Sequence, residues 1–289
     1  MYKFYCHFGE VGYELLGWSG FVREQALNNK DIKTVILGRP SFNLVYPYAH
    51  ELIDITQIPE WKDTSACCQG FRGRPPSITQ EFKENIFKLI KDHYPNLSEK
   101  QIKDNLFFSD THPLPDIYRN KIGSYEKLEI DLAAREEVEA KVGFSLEEPY
   151  VLIQNAWREQ VIRCGFEFSE DNYRNILKDY TNYRKVFIDF SDSRKHQSQK
   201  SPTNYLREVC TCIECNNLAE QSILFSFSKY NLFFTEGDFR SHCYFPPMFG
   251  KDVKVFCSKK VQSLDGCAVD FWNEFVFTFG GHIELHGGF

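Results

Sequence analysis

Apolar runs of four to six residues, each followed by a helical stretch, recur twice along this chain, and that alternation limits the fold more than any other feature. In the first half, Tyr2–Phe8, Lys33–Leu37 and Leu52–Ile55 read as buried strands. A helix with a broad apolar face (Leu15, Leu16, Trp18, Phe21, Val22, Ala26) is predicted over residues 13–29, and another over 41–51. Residues 60–80 read as a loop, Gln80–Tyr94 as a helix, Ser98 to Gln101 as a capping box, Phe107-Phe108 as a short strand and Asp131–Val142 as a charged helix. The second half repeats the rhythm. Strands are predicted at Tyr150–Asn155, Lys185–Phe190, Leu232–Thr235 and Val253–Phe256, with helices at Ser169–Tyr180 and Asn217–Phe227. Residues 265–289 fit either a hairpin or a helix that returns to the first unit. A strand–helix–strand alternation calls for a parallel sheet covered on both faces, so the expected class is α/β with two Rossmann-like domains, 1–145 and 146–289, facing each other across a cleft. The chain's 289 residues suffice for two such cores.

The first strand ends in Gly9-Glu10-Val11-Gly12, and a helical pattern begins at once. In open α/β sheets, the carboxyl ends of the strands border the ligand site. Glycines there permit close backbone approach, and a helix N-terminus attracts anions. Glu10 is therefore placed to act as a base on a bound molecule, or else simply to cap the helix. Glu14, one turn on, either shares that face or favours the helix N-terminus.

Three strand ends of the second half carry a basic, hydroxyl-rich set of residues. They are Asn155, Trp157 and Arg158; then Ser191, Ser193, Arg194 and Lys195; then Thr235, Glu236, Gly237, Asp238, Arg240, Ser241 and His242. Guanidinium groups and free helix N–H groups suit a diphosphate. Trp18 and Trp157 read as core or cleft wall. His7, His112 and His242 read either as bases or as structurally satisfied side chains.

Net charge of −6 excludes a general nucleic-acid binder, which needs a basic stripe. No apolar run reaches membrane-spanning length and the start has no signal-peptide pattern, so the expected location is cytoplasmic. The ten cysteines then read as reduced thiols. Cys210, Cys212 and Cys215 have metal-like spacing, but a structural zinc site needs a second such pair, so no metal is assigned. The high Phe, Lys and Asn content fits an AT-rich genome, bacterial or from a large DNA virus.

Residues 217–256 resemble the donor-binding segment of GT-B glycosyltransferases, the heptosyltransferase-like branch in particular. Leu218-Ala-Glu220, Thr235-Glu-Gly237, Ser241-His242 and Gly250-Lys251 follow that segment's order. Gly9-Glu10 is similar to the turn that carries the general base, and residues 9–18 also resemble the opening of other GT-B-like enzymes of surface-glycan assembly. The resemblance implies an inverting, metal-independent transferase with no cofactor, whose partners are a UDP- or GDP-linked sugar and a glycan acceptor. It implies Glu10 as the base, with Glu14 and Trp18 at the acceptor. It implies donor contacts from Glu220, Thr235, Gly237, Asp238, Arg240, Ser241 and His242, and the strand-end reading adds Asn155, Arg158, Ser191, Arg194 and Lys195 to that donor set. The first domain would hold the acceptor and the second the nucleotide sugar. The chain departs from the pattern in lacking Pro-Ala-Leu after the first turn and His-Pro-Gly at Gln154-Asn155. Its donor turn is Thr-Glu-Gly-Asp rather than Thr-Asp-Ser-Gly. These departures leave the donor sugar and the phosphate contacts open. Two other readings of the same fold are a non-catalytic nucleotide- or glycan-binding protein, and another two-domain enzyme of phosphorylated substrates such as an epimerase or phosphatase.

Overall fold

The computed structural model describes residues 1–8, 14–58, 79–109, 125–156, 168–188, 203–215, 217–235, 241–257 and 280–287. The chain divides into two compact units, Met1–Tyr125 and Glu126–Phe289.

The first unit holds four parallel strands in the order β3-β2-β1-β4: β1 (Tyr2–Cys6), β2 (Lys33–Gly38), β3 (Glu51–Asp54) and β4 (Leu106–Phe108). Alternation places Phe4, Cys6 and Phe8 on one face, against Phe82, Ile86 and Ile90 of α2 (Gln80–His93). Those three recur every fourth residue, which makes one apolar stripe on the helix. The Thr79 hydroxyl caps α2 by accepting from Phe82 N–H at 3.1 Å. The expected capping box at Ser98 and Gln101 opens α3 (Glu99–Lys103). Helix α1 (Ser19–Asn28) is preceded by a π-helical turn over Glu14–Trp18.

A helix over 41–51 does not form. A short 3-10 turn, Pro40–Leu44, takes its place before β3 begins at Glu51. Pro47 has no N–H to donate and drives Tyr46 away from helical geometry.

The second unit holds six parallel strands: β5 (Tyr150–Ala156), β6 (Arg184–Ile188), β7 (Thr211–Ile213), β8 (Tyr230–Thr235), β9 (Val253–Cys257) and β10 (Ile283–Gly287), in the order β10-β9-β8-β5-β6-β7. Counted from the first strand this is 3-2-1-4-5-6, the doubly wound order of dinucleotide-binding sheets. One face packs Val151, Ile153, Leu232, Phe234 and Phe256 against Tyr173, Ile176 and Leu177 of α5 (Glu170–Leu177). Ser169 caps α5, as expected, in a box with Asn172. The other face carries α7 (Leu218–Phe227), where Tyr150 Oη donates to Leu224 O at 2.6 Å.

Three features of this unit differ from the sequence reading. Helix α4 (Arg135–Val142) groups with the second unit, since it packs on α7 and Lys141 pairs with Glu220; the division falls at 125/126 rather than near 145. Helix α6 (Thr203–Val209) and strand β7 follow β6 where no elements were expected. Leu206 is buried there, and a seven-residue helix with one fully buried apolar residue shows no period. Within 265–289, the described residues form neither a hairpin nor a helix. They form β10, parallel to β9, and a parallel neighbour cannot be reached through a tight turn. Gly281 precedes β10 because a Cβ there would lie 2.4 Å from Pro247 Cα of α8 (Ser241–Met248).

Candidate active site

All six strands of the second sheet run in one direction, so their carboxyl ends share one edge. The strand order reverses between β5 and β8, and such switch points are where open α/β sheets bind ligands. The strand ends meet there in register, Asn155 beside Phe234, Ala156 beside Thr235, and Thr235 beside Cys257. Asn155 is buried, and its Nδ2 donates to Tyr173 Oη at 2.9 Å. Gln154 is buried as well. Helix α8 starts at Ser241, close after β8, so Thr235, Ser241 and His242 stand at the expected strand end and helix start. Helix α7 also begins at this edge, because it follows β7 and leads back to β8.

Glu220 occupies the first turn of α7. Asn217 caps that turn by accepting from Glu220 N–H at 2.9 Å. The Glu220 carboxylate is 2% exposed and lies 2.7 Å from Lys141 Nζ, which also pairs with Glu137 at 3.1 Å. Burial works against the Lys141 charge. The two carboxylates outweigh it and raise its pKa. Glu220 is thus already held within its own unit. Arg158, Ser191, Arg194, Lys195, Gly237, Asp238 and Arg240 lie outside the described residues, as do Trp157 and His112.

In the first unit the order β3-β2-β1-β4 likewise switches at its first strand, beside β4. Glu10 lies outside the described residues. Glu14 and Trp18 are both fully buried. One Glu14 oxygen pairs with the Arg39 guanidinium, and the other accepts from Tyr46 Oη at 3.0 Å. Burial raises the Glu14 pKa, opposed by the Arg39 charge and by both hydrogen bonds. Burial likewise pushes Tyr46 up, with Glu14 adding to the shift. Arg39 also lies over the Phe42 ring, 5.2 Å from its centre. Trp18 packs with Phe21, Tyr5 and His7, and so takes the core role that the sequence also allowed. Arg39 and Tyr46 were not anticipated as partners of Glu14. Arg39 sits in Gly38-Arg39-Pro40 at the end of β2, and that strand-end position is the one sequence signal that could have drawn attention to it.

Among the described residues, no group of three His, Cys, Asp or Glu side chains could hold a metal ion. Burial pushes the Cys210 thiol up to about 12, Cys212 is exposed and Cys215 is buried. Among the described residues, no helix is long and apolar enough to cross a membrane.

Two parallel α/β units, each with its strand order reversing at its first strand, define the GT-B fold, and this chain has it. The chain is similar to the crystal structure of a glycosyl transferase family 9 protein from Veillonella parvula. That match has a TM-score of 0.57 and 9% identity, and covers 99% of this chain and 85% of the other. It is also similar to E. coli ADP-heptose lps heptosyltransferase II, with a TM-score of 0.51, 10% identity, and coverage of 98% and 92%. No protein-family model and no curated protein matches the sequence.

Proposed function

We propose that this chain is a glycosyltransferase that moves a sugar from a nucleoside-diphosphate donor to a hydroxyl of a glycan acceptor, with inversion, without a divalent ion, and in the cytoplasm. The observation that carries the reading is the switch point of the second sheet. Asn155, Thr235 and the start of α8, which sequence alone assigned to the donor, share that edge in a fold common to two glycosyltransferase structures.

In this reading the second unit binds the nucleotide sugar and the first unit the acceptor. The acceptor oxygen attacks the anomeric carbon and forms the new C–O bond. The bond from that carbon to the phosphate oxygen breaks, and the nucleoside diphosphate leaves with the electron pair. Glu10 takes the proton of the acceptor hydroxyl. Arg158, Arg194 or Lys195, Arg240 and backbone N–H groups near Gly237 stabilise the charge growing on the leaving group. Ser191, Asp238, Ser241 and His242 complete the donor contacts, and Glu220 lies on the ribose side. Glu14 and Trp18 shape the acceptor side from the interior.

Thermal-shift titration of the full chain with UDP and GDP tests the reading. A ligand bound only by the folded state adds roughly 2.7 kcal/mol at a hundred times its Kd. No shift with either nucleotide would sink the donor assignment. Release of nucleotide from a UDP- or GDP-sugar, measured without acceptor, separates an enzyme from a non-catalytic binder. Activity should survive EDTA. Loss on chelation with recovery on adding Mn²⁺ would replace the metal-free mechanism with a metal-dependent one.

A further inference from the structure

Gln154 and Asn155 are successive residues of β5, the strand at which the second sheet switches. Successive side chains leave a strand on opposite faces. Asn155 lies on the α5 face, where it donates to Tyr173 Oη at 2.9 Å. Gln154 lies on the α7 face with Tyr150, whose hydroxyl bonds to Leu224 of that helix. Gln154 is 1% exposed and Asn155 7%. Even so, Gln154 Oε1 and Asn155 Oδ1 accept no hydrogen bond among the described residues. A buried acceptor left unmade costs free energy, and an interior position with no polar role would hold Val or Leu, as the preceding β5 residues do.

The unmade atoms are carbonyl oxygens, so their complement must be an O–H or an N–H. A diphosphate at neutral pH has almost none to give. The end of β5 is thus matched to the hydroxyl- and amine-bearing parts of a ligand. A molecule that meets both amides must straddle the strand, with hydrogen-bond donors on each side. A nucleotide sugar has that layout, with a polyol at one end, an anion in the middle and a nucleoside at the other. The α7 face is the one that carries Glu220, whose proposed place is on the ribose side.

We propose that Gln154 and Asn155 are specificity-determining residues that accept hydrogen bonds from the two ends of the nucleotide sugar, Gln154 from the nucleoside and Asn155 from the sugar. This rests on the glycosyltransferase reading above. The two amides leave the diphosphate to other groups.

Gln154→Met keeps the side-chain length and removes the acceptor. UDP, GDP and inorganic pyrophosphate are titrated into the parent and this variant by calorimetry, with melting temperatures recorded without ligand. The variant should bind the preferred nucleotide roughly tenfold more weakly and pyrophosphate as the parent does, because one neutral hydrogen bond is lost. Its ligand-free melting temperature should equal or exceed the parent's, since a buried unmade acceptor has gone. Unchanged nucleotide affinity would overturn the assignment while leaving the glycosyltransferase reading intact. A lower melting temperature, or failure to fold, would show a structural amide and overturn it too. A parent that binds none of the three probes would overturn the glycosyltransferase reading and this inference with it.

Discussion

The two sheets share an edge design and use it in opposite ways. In the first unit the charged groups near the edge serve one another. Glu14, Arg39 and Tyr46 form a buried cluster in which both carboxylate oxygens have partners. In the second unit the central strand β5 ends in two amides whose carbonyl oxygens accept no hydrogen bond among the described residues. The Glu14 carboxylate, with both oxygens bonded inside its own unit, is therefore weaker grounds for a ligand contact than an amide whose carbonyl oxygen accepts nothing among the described residues. The first unit's polar cluster lies in its interior, and in the proposed function the acceptor chemistry is assigned to Glu10 instead.

That contrast can be broken most directly at Glu10. Glu10→Gln should lower kcat by roughly 10²–10⁴-fold, the range for a positioned acid or base, with donor affinity and melting temperature near the parent's. Near-normal turnover would remove Glu10 from the mechanism and reopen the first unit's edge. Glu14→Leu should act the other way. It removes the carboxylate paired with the buried Arg39 charge and should cost about 3–5 kcal/mol of unfolding free energy in urea titrations. A change below about 1 kcal/mol would mean that the pair does not hold the unit together.

Smaller effects sharpen the second unit's side. Arg240→Ala should weaken nucleoside-diphosphate binding by about 1.5–3 kcal/mol if the guanidinium meets phosphate oxygens. Calorimetry decides this, and a change inside about 0.5 kcal/mol would make Arg240 a solvated charge. Cys212→Ser should be the mildest, within about 0.5 kcal/mol in stability and with unchanged activity, because Cys212 is exposed on a short edge strand. A large loss there would reinstate the Cys210, Cys212 and Cys215 cluster as a functional site.

The longer strands were legible in the sequence because they carry runs of three or four consecutive apolar residues bounded by polar or turn residues. Tyr150–Ile153 and Leu232–Phe234 could scarcely form anything else. The capping boxes at Ser98 and Ser169 were legible because both partners lie within three residues. Illegible features depend on distance or brevity. Arg39 meets Glu14 only after β1 and β2 pair in register, 25 residues apart along the chain. Strand β7 has three residues, and its cysteines suggested metal spacing instead of a sheet edge. Strand β10 was hidden because its partner β9 is parallel and lies beyond an intervening connection. At the site, strand ends were legible and hydrogen-bond valence was not. That the Gln154 carbonyl oxygen accepts no hydrogen bond among the described residues is a tertiary fact, which no local pattern records.

Parallel pairing also has a consequence in time. Strand β5 must flank both β6 and β8, yet its residue Val151 pairs with Tyr230, 79 positions later. At about 5–20 residues per second, a ribosome takes roughly 4–16 s to supply that partner. Throughout that interval one side of Tyr150–Ile153 is an unpaired apolar ribbon, the kind of segment that seeds aggregation. Gln154 and Asn155 close that ribbon with two amides. The same pair that ends this ribbon in the sequence is the pair that the finished sheet presents at its switch point.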